Sequence, residues 1–227
     1  MKIAGIQKSS TIDYPGHLSC VLFTPGCNFD CFYCHNRALL QSDAPLLGED
    51  EVWAFLQKRA GLLDGVVISG GEPTLQKDLY EFIEKLRDLE YDVKLDTNGQ
   101  NISAVEPLIR DGMLDYLAVD IKALPEQYAI ITGHEGYENA IGVLKLAMDS
   151  GLACEGRTTV CPGMRSEMLL ELAKLMPGLP RWRLNVYHIP EKYRTEDELR
   201  IRIPALSETE LTRLLPELKQ YQPNACI

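Results

Sequence analysis

Six short apolar runs follow one another along the chain, and each leads into a stretch of helical periodicity. The runs cover 19–23 (Ser-Cys-Val-Leu-Phe), 65–69 (Gly-Val-Val-Ile-Ser), 91–97, 114–121, 152–160 and 182–189. Between them, 49–60 carries Val52, Phe55 and Leu56 at helical spacing, and 76–89 carries Leu79, Phe82, Ile83 and Leu86 on one face. Further helices are expected at 103–111, 137–150, 166–176 and 207–220, the fifth with Glu167 in its first turn, favourable against the helix dipole. Strand–helix alternation implies a parallel α/β sheet with right-handed crossovers. Six units can form an open doubly wound sheet or an incomplete (β/α)6 barrel, and periodicity alone does not choose. Residues 1–18 read as a short extended arm turning at Tyr14-Pro15-Gly16. The chain is therefore expected to be one domain: an N-terminal arm (1–18), a core (19–190), and a C-terminal segment with a helix (191–227). Its 227 residues suit one large α/β domain, and no low-complexity linker divides it.

In such sheets a ligand binds at the carboxyl ends of the strands. The segments that carry chemistry lie there: a cysteine loop, Gly70-Gly71-Glu72-Pro73, Asp96-Thr97-Asn98-Gly99, Asp120-Ile121-Lys122 and Cys161-Pro162-Gly163. Composition narrows the classes. With 23 basic against 33 acidic residues the net charge is −10, which argues against a nucleic-acid-binding surface. No apolar run approaches the ~20 residues that span a bilayer. The first residues lack the apolar core of a signal peptide, so a cytoplasmic protein is expected.

Seven cysteines, an odd number at uneven spacing, suit metal ligation in a reducing compartment better than disulfides. Cys27-x-x-x-Cys31-x-x-Cys34 supplies three thiols from one loop. Structural zinc takes four closed ligands, and no second pair is present; His35 abuts Cys34 and reaches the same ion only by an awkward reversal. The other reading is an iron–sulfur cluster with three thiolate ligands, leaving one iron open for chemistry. Spacing and context favour the open cluster. Cys20, Cys154, Cys161 and Cys226 have no motif partner and receive no role.

This cysteine spacing after a first strand, with Gly-Gly-Glu-Pro after a second, resembles the radical S-adenosylmethionine (SAM) superfamily. The resemblance covers nearly the whole chain. It implies a partial (β/α)6 barrel and a 4Fe–4S cluster on Cys27, Cys31 and Cys34. SAM would chelate the open iron and be reductively cleaved to methionine and a 5′-deoxyadenosyl radical. Three segments narrow it: Gly5-Ile6-Gln7-Lys8-Ser9-Ser10-Thr11-Ile12-Asp13-Tyr14-Pro15-Gly16, Phe23-Thr24-Pro25-Gly26-Cys27-Asn28-Phe29 and Cys34-His35-Asn36. They are similar to the activating proteins of glycyl radical enzymes, most of all to those of anaerobic ribonucleoside-triphosphate reductase; pyruvate formate-lyase activating enzyme is a relative. The implied partners are a glycyl radical enzyme, from which a glycine hydrogen is taken, and a flavodoxin or ferredoxin that supplies the electron.

The resemblance also implies site residues. Gly70, Gly71, Glu72 and Pro73 would meet the SAM amino group; read by itself the segment is a strand-to-helix turn whose glycines allow close approach. Asp96, Thr97 and Asn98 would bond a ribose or carboxylate, although Asn-Gly also favours a simple turn. Asp120 would orient Lys122 toward the SAM carboxylate, or the two form a structural ion pair. Arg157 would face an anionic group and Val160 would pack on adenine. His188, with Asn185 as a second candidate, would face the ribose. Tyr33 would lie beside the adenine, or shield the cluster with Phe32. No cysteine falls in 35–69, so the two-cluster insert of some activators is missing. Only Cys226 lies near the end, where peptide-modifying relatives carry a cysteine-rich extension. A small-molecule enzyme of the 7-carboxy-7-deazaguanine synthase type is disfavoured by His35-Asn36, because such enzymes tend to follow the last cysteine with Asp-Thr. A zinc-bearing binding module is the rival from another class.

Overall fold

The computed structural model describes residues 1–40 and 45–227. Eight strands form one sheet in chain order: β1 (Gly5–Ser10), β2 (Ser19–Thr24), β3 (Gly65–Gly70), β4 (Asp92–Thr97), β5 (Tyr116–Asp120), β6 (Cys154–Val160), β7 (Trp182–Val186) and β8 (Ala225–Cys226). All neighbours pair in parallel except β1, which runs antiparallel to β2. The core β2–β7 holds the six strands expected from the sequence. The arm is more regular than expected, because Gly5–Gln7 pair with Val21–Phe23. Among the described residues β1 and β8 do not pair, so the barrel is partial and open.

The helices α1 (Glu49–Arg59), α2 (Leu79–Asp88), α3 (Ile102–Arg110), α5 (Tyr137–Ser150), α6 (Ser166–Leu175) and α8 (Glu208–Leu218) match the six expected ones. Two more are present: α4 (Pro125–Thr132) and the single turn α7 (Glu198–Ile201). Packing shows in α2, where Leu79, Phe82, Ile83 and Leu86 are all buried. Burying such a side chain contributes roughly 2 kcal/mol. Local chemistry sets the ends. Ser207 caps α8 through its hydroxyl, with Glu210 reaching back to it. Gly151 ends α5 in the left-handed conformation.

The strands divide their side chains by parity. Leu22, Ile68, Leu95, Val119 and Leu184 are fully buried in one large apolar core, on the sheet face opposite the lumen. The other face encloses the lumen. Its floor is a small separate cluster of Tyr14, Val21 and Val67, with Phe23 and Tyr116 against it. Tyr14 is thus the plug that the arm inserts, stacked on His17 with ring centroids 4.0 Å apart.

Candidate active site

Above that floor the lumen is polar. Barrel interiors are usually filled by branched aliphatic residues. Here β4 points Lys94 and Asp96 inward, β5 Asp120, β6 Glu155, Arg157 and Thr159, and β7 Asn185. A cavity of about 440 Å3 opens at the carboxyl ends of the strands. It brings together Cys27, Cys31, Tyr33 and Cys34 from the cysteine loop with Gly70, Gly71 and Glu72. Asp96, Thr97, Asn98, Asp120, Lys122 and Arg157 face it from the next strands. A larger hollow of about 600 Å3 beside Met1, Trp53 and Phe82 shares no residue with this cavity.

Three expected contacts lie elsewhere. Val160 is three residues beyond the inward Arg157, so parity turns it to the outer face, where it is fully buried in the apolar core. Thr159 lines the cavity in its place. His188 is exposed on a neighbouring groove with Arg183 and Glu208; Asn185, the second candidate, faces both that groove and the cavity. Pro73 is buried at the start of a 3₁₀ turn behind the loop.

The cysteine loop is clamped from outside. Asp30 accepts from Arg37 Nη2 at 2.8 Å and from Arg194, and Arg37 also donates to the Cys31 carbonyl at 2.8 Å. The Asp30 and Phe32 amides donate to the carbonyls of Thr132 and Ile131, which ties the loop to the end of α4. Asn36 Nδ2 donates to the Gly70 carbonyl at 3.1 Å. Burial pushes the Cys27 thiol up to about 11 and that of Cys31 to about 12, and it raises Cys34; the Lys122 charge works against the rise in all three. Thiols held neutral in this way become strong ligands once a metal charge replaces their protons. The Phe29 amide donates to Cys27 Sγ at 3.3 Å. Such N–H···S bonds tune iron–sulfur potentials. Among the described residues no three His, Cys, Asp or Glu side chains stand close enough to share a single metal ion.

The glycines of Gly70-Gly71 serve a backbone seam. A Cβ on Gly71 would lie 2.0 Å from the Gly26 carbonyl oxygen, and one on Gly70 would lie 2.3 Å from the Thr24 nitrogen. The seam is closed by hydrogen bonds from the Gly71 amide to Thr24 and from the Glu72 amide to Gly26. Glu72 lines the cavity but is only 1% exposed. It accepts from the Thr74 amide (3.1 Å), the Thr74 hydroxyl (2.6 Å), the Thr97 hydroxyl (2.7 Å) and the Asn98 amide (2.7 Å). Glu72 thus welds the end of β3 to the end of β4, and Thr97 has its proton committed to that weld. Asn98 Nδ2 donates to Asn28 Oδ1 at 2.7 Å and joins the cysteine loop to the same frame.

Across the cavity runs a line of ion pairs. Arg157 donates from Nη1 to Asp96 at 2.8 Å and from Nε to Asp120 at 3.0 Å. Lys122 Nζ donates to the other Asp120 oxygen at 2.8 Å. Burial opposes ionisation of Asp120, but Arg157 and Lys122 outweigh it and hold its pKa down at about 2. Burial likewise opposes Asp96, and Arg157 and Lys94 carry it below the ordinary range. Both carboxylates and both cations are therefore charged at neutral pH, with Lys122 beside the thiols.

Residues 21–176 match the radical SAM superfamily. The chain belongs to this family. A Methanocaldococcus jannaschii protein named "putative glycyl-radical enzyme activating enzyme" is 32% identical over 99% of this chain and 95% of its own length. A Methanococcus maripaludis protein named "Probable GTP 3′,8-cyclase" is 34% identical, over 57% of this chain and 44% of that relative. Streptococcus suis SuiB bound to S-adenosylmethionine shares the fold, with a TM-score of 0.68 at 19% identity over 88% of this chain and 48% of that one.

The residues of this radical SAM chain fit the cofactors of the family. Three thiols converge on one cavity, and the hydroxyl of Tyr33, which also lines it, is buried without a hydrogen-bond partner among the described residues. An orphaned buried hydroxyl is costly unless a bound group completes it. Sequence reasoning missed Asn28, Asn36 and Lys94 as parts of this frame. Asn36 carried a signal in Cys34-His35-Asn36; Lys94 shares the parity of Asp96.

Proposed function

We propose that this radical SAM protein is an activating enzyme that takes a hydrogen atom from one glycine of a partner glycyl radical enzyme, the anaerobic ribonucleoside-triphosphate reductase. The observation that carries the reading is full-length similarity: 32% identity over 95% of a relative named for glycyl-radical enzyme activation. Cys27, Cys31 and Cys34 hold a 4Fe–4S cluster, and a flavodoxin or ferredoxin supplies its electron. Cluster and SAM together supply abstraction of hydrogen from an unactivated carbon. The chain itself binds, orients and excludes water.

Lys122 and Arg157 present two cations to the SAM carboxylate, each held by Asp120. Gly70-Gly71, fixed against Thr24 and Gly26, offers backbone to the amino group. Asp96 and Asn98 are held at the ribose end of the same cavity, whereas the Thr97 hydroxyl acts through Glu72. Tyr33 gives its free hydroxyl to the bound group. His188 reaches SAM only if the open edge of the barrel rearranges, Val160 stays in the outer core, and Pro73 sets the turn behind Glu72. No side-chain acid or base is required.

The test is anaerobic reconstitution with iron and sulfide, reduction by dithionite, and assay of 5′-deoxyadenosine from SAM, with Cys31→Ala beside it. Release that depends on Cys31 is expected. A colourless protein that keeps one tight zinc and never takes up iron refutes the reading.

A further inference from the structure

The line of ion pairs does not stop at Asp96. Lys94, 2% exposed, reaches Asp96 Oδ1 at 3.0 Å and Glu155 Oε1 at 3.9 Å. It also donates to the Asp13 carbonyl of the N-terminal arm and lies 5.7 Å from the Tyr116 ring centroid. Glu155, 1% exposed, meets Arg181 Nε at 3.4 Å. Seven side chains of alternating sign therefore run from the floor of the lumen to the thiols: Arg181, Glu155, Lys94, Asp96, Arg157, Asp120 and Lys122. Along this line four cations stand against three carboxylates, and the cavity lining adds the carboxyls of Asp13 and Glu72.

A lysine this buried is rare and needs a reason. A purely structural ion pair would be complete with one lysine and one acid. Here Lys94 Nζ stands 3.0 Å from Asp96 Oδ1, an oxygen with no hydrogen-bond partner among the described residues, and only the other oxygen is bonded by Arg157. With Lys94 absent, Asp96 would be a buried carboxylate with Arg157 as its single cation, and the guanidinium would be drawn down the lumen. The line as a whole would then be neutral.

We propose that Lys94 is a positioning residue for SAM: through Asp96 it leaves Arg157 with charge to offer upward, and its own charge offsets part of the negative charge that the lining carboxylates present to the SAM carboxylate. Glu155 opposes that charge from below. The inference rests on SAM occupying the cavity and is independent of which enzyme is the partner.

The test measures SAM affinity of the cluster-loaded protein by calorimetry, together with the change that SAM makes in the electron paramagnetic resonance spectrum of the reduced cluster. Lys94→Met should weaken SAM binding by on the order of tenfold, the scale of one charge lost at second-neighbour range in a poorly screened interior. Glu155→Gln, which removes the opposing charge, should tighten binding. Lys94→Met with Glu155→Gln restores the sum and should recover at least half of the lost affinity in logarithmic terms. If Lys94→Met does not fold, Glu155→Gln decides, with tighter SAM binding expected and unchanged or weaker binding overturning the proposal. A structural role predicts lower melting temperatures for all three variants with no opposite-signed shift in SAM affinity. Unchanged affinity in Lys94→Met overturns the proposal, as does weakening in Glu155→Gln or a double variant as weak as the single. Wild-type protein that carries a full cluster yet binds no SAM would instead overturn the assignment of the cavity.

Discussion

Asp120→Asn isolates the electrostatic centre of the cavity. Asparagine has the shape and charge of the protonated aspartic acid, so the variant compares the ionised site with its neutral twin. In the fold Asp120 holds Arg157 at 3.0 Å and Lys122 at 2.8 Å, and its pKa is carried down to about 2. In the unfolded chain the same group titrates near 3.9. A folded-state pKa below the unfolded one means that the carboxylate stabilises the fold above pH 4, and that this contribution disappears as the pH falls toward 2. Nearly two units of depression correspond to roughly 2–3 kcal/mol. The variant should therefore be less stable by roughly 2–3 kcal/mol at pH 7, which lowers the melting temperature by about 6 °C for a chain of this size. Urea midpoints of the cluster-free protein, measured for both forms from pH 7 to pH 2, check this. The gap should be constant down to about pH 4 and close as the pH approaches 2. A gap that keeps its full size at pH 2, or no gap at pH 7, refutes the claim that Asp120 is ionised and paired with Arg157 and Lys122.

Two further substitutions test the frame. Gly71→Ala places a Cβ 2.0 Å from the Gly26 carbonyl, between two stretches of backbone that cannot yield. It should cost about 3 kcal/mol or more and lower the iron bound per chain, as read by a melting curve and by iron analysis. Tyr33→Phe removes a buried hydroxyl that has no partner among the described residues. The cluster-free protein should be unchanged or more stable by about 1 kcal/mol, whereas SAM affinity of the loaded protein should fall several-fold. Loss of stability without loss of affinity would contradict the role given to Tyr33.

The strand–helix alternation was legible because buried parallel strands are short and continuously apolar, and because their carboxyl ends carry Gly, Asp, Asn and Cys; the choice of a barrel over an open sheet came from the family resemblance. The cysteine triplet and Gly70-Gly71 reached the cavity as expected, although the glycines serve a backbone seam with Gly26 more than ligand approach. Other features depend on partners distant in sequence. Helix α4 has little amphipathic pattern, and its end is tied to the cysteine loop by hydrogen bonds from Asp30 and Phe32. Strand β8 has two residues and exists by pairing with Trp182 and Arg183. Glu72 reads as a cavity ligand in its motif, but only the fold places Thr97 and Asn98 where they occupy its oxygens. Parity, which the sequence does contain, separates Val160 from Arg157 and joins Lys94 to Asp96.

The central claim is that a glycine of a partner enzyme is the source of the hydrogen. The most direct measurement is anaerobic incubation of the reconstituted protein with SAM, dithionite and purified anaerobic ribonucleoside-triphosphate reductase, followed by electron paramagnetic resonance. The account predicts a stable protein-radical doublet on the reductase, formed with wild-type protein and not with Cys31→Ala. A full cluster that releases 5′-deoxyadenosine while the reductase stays free of any radical would contradict it.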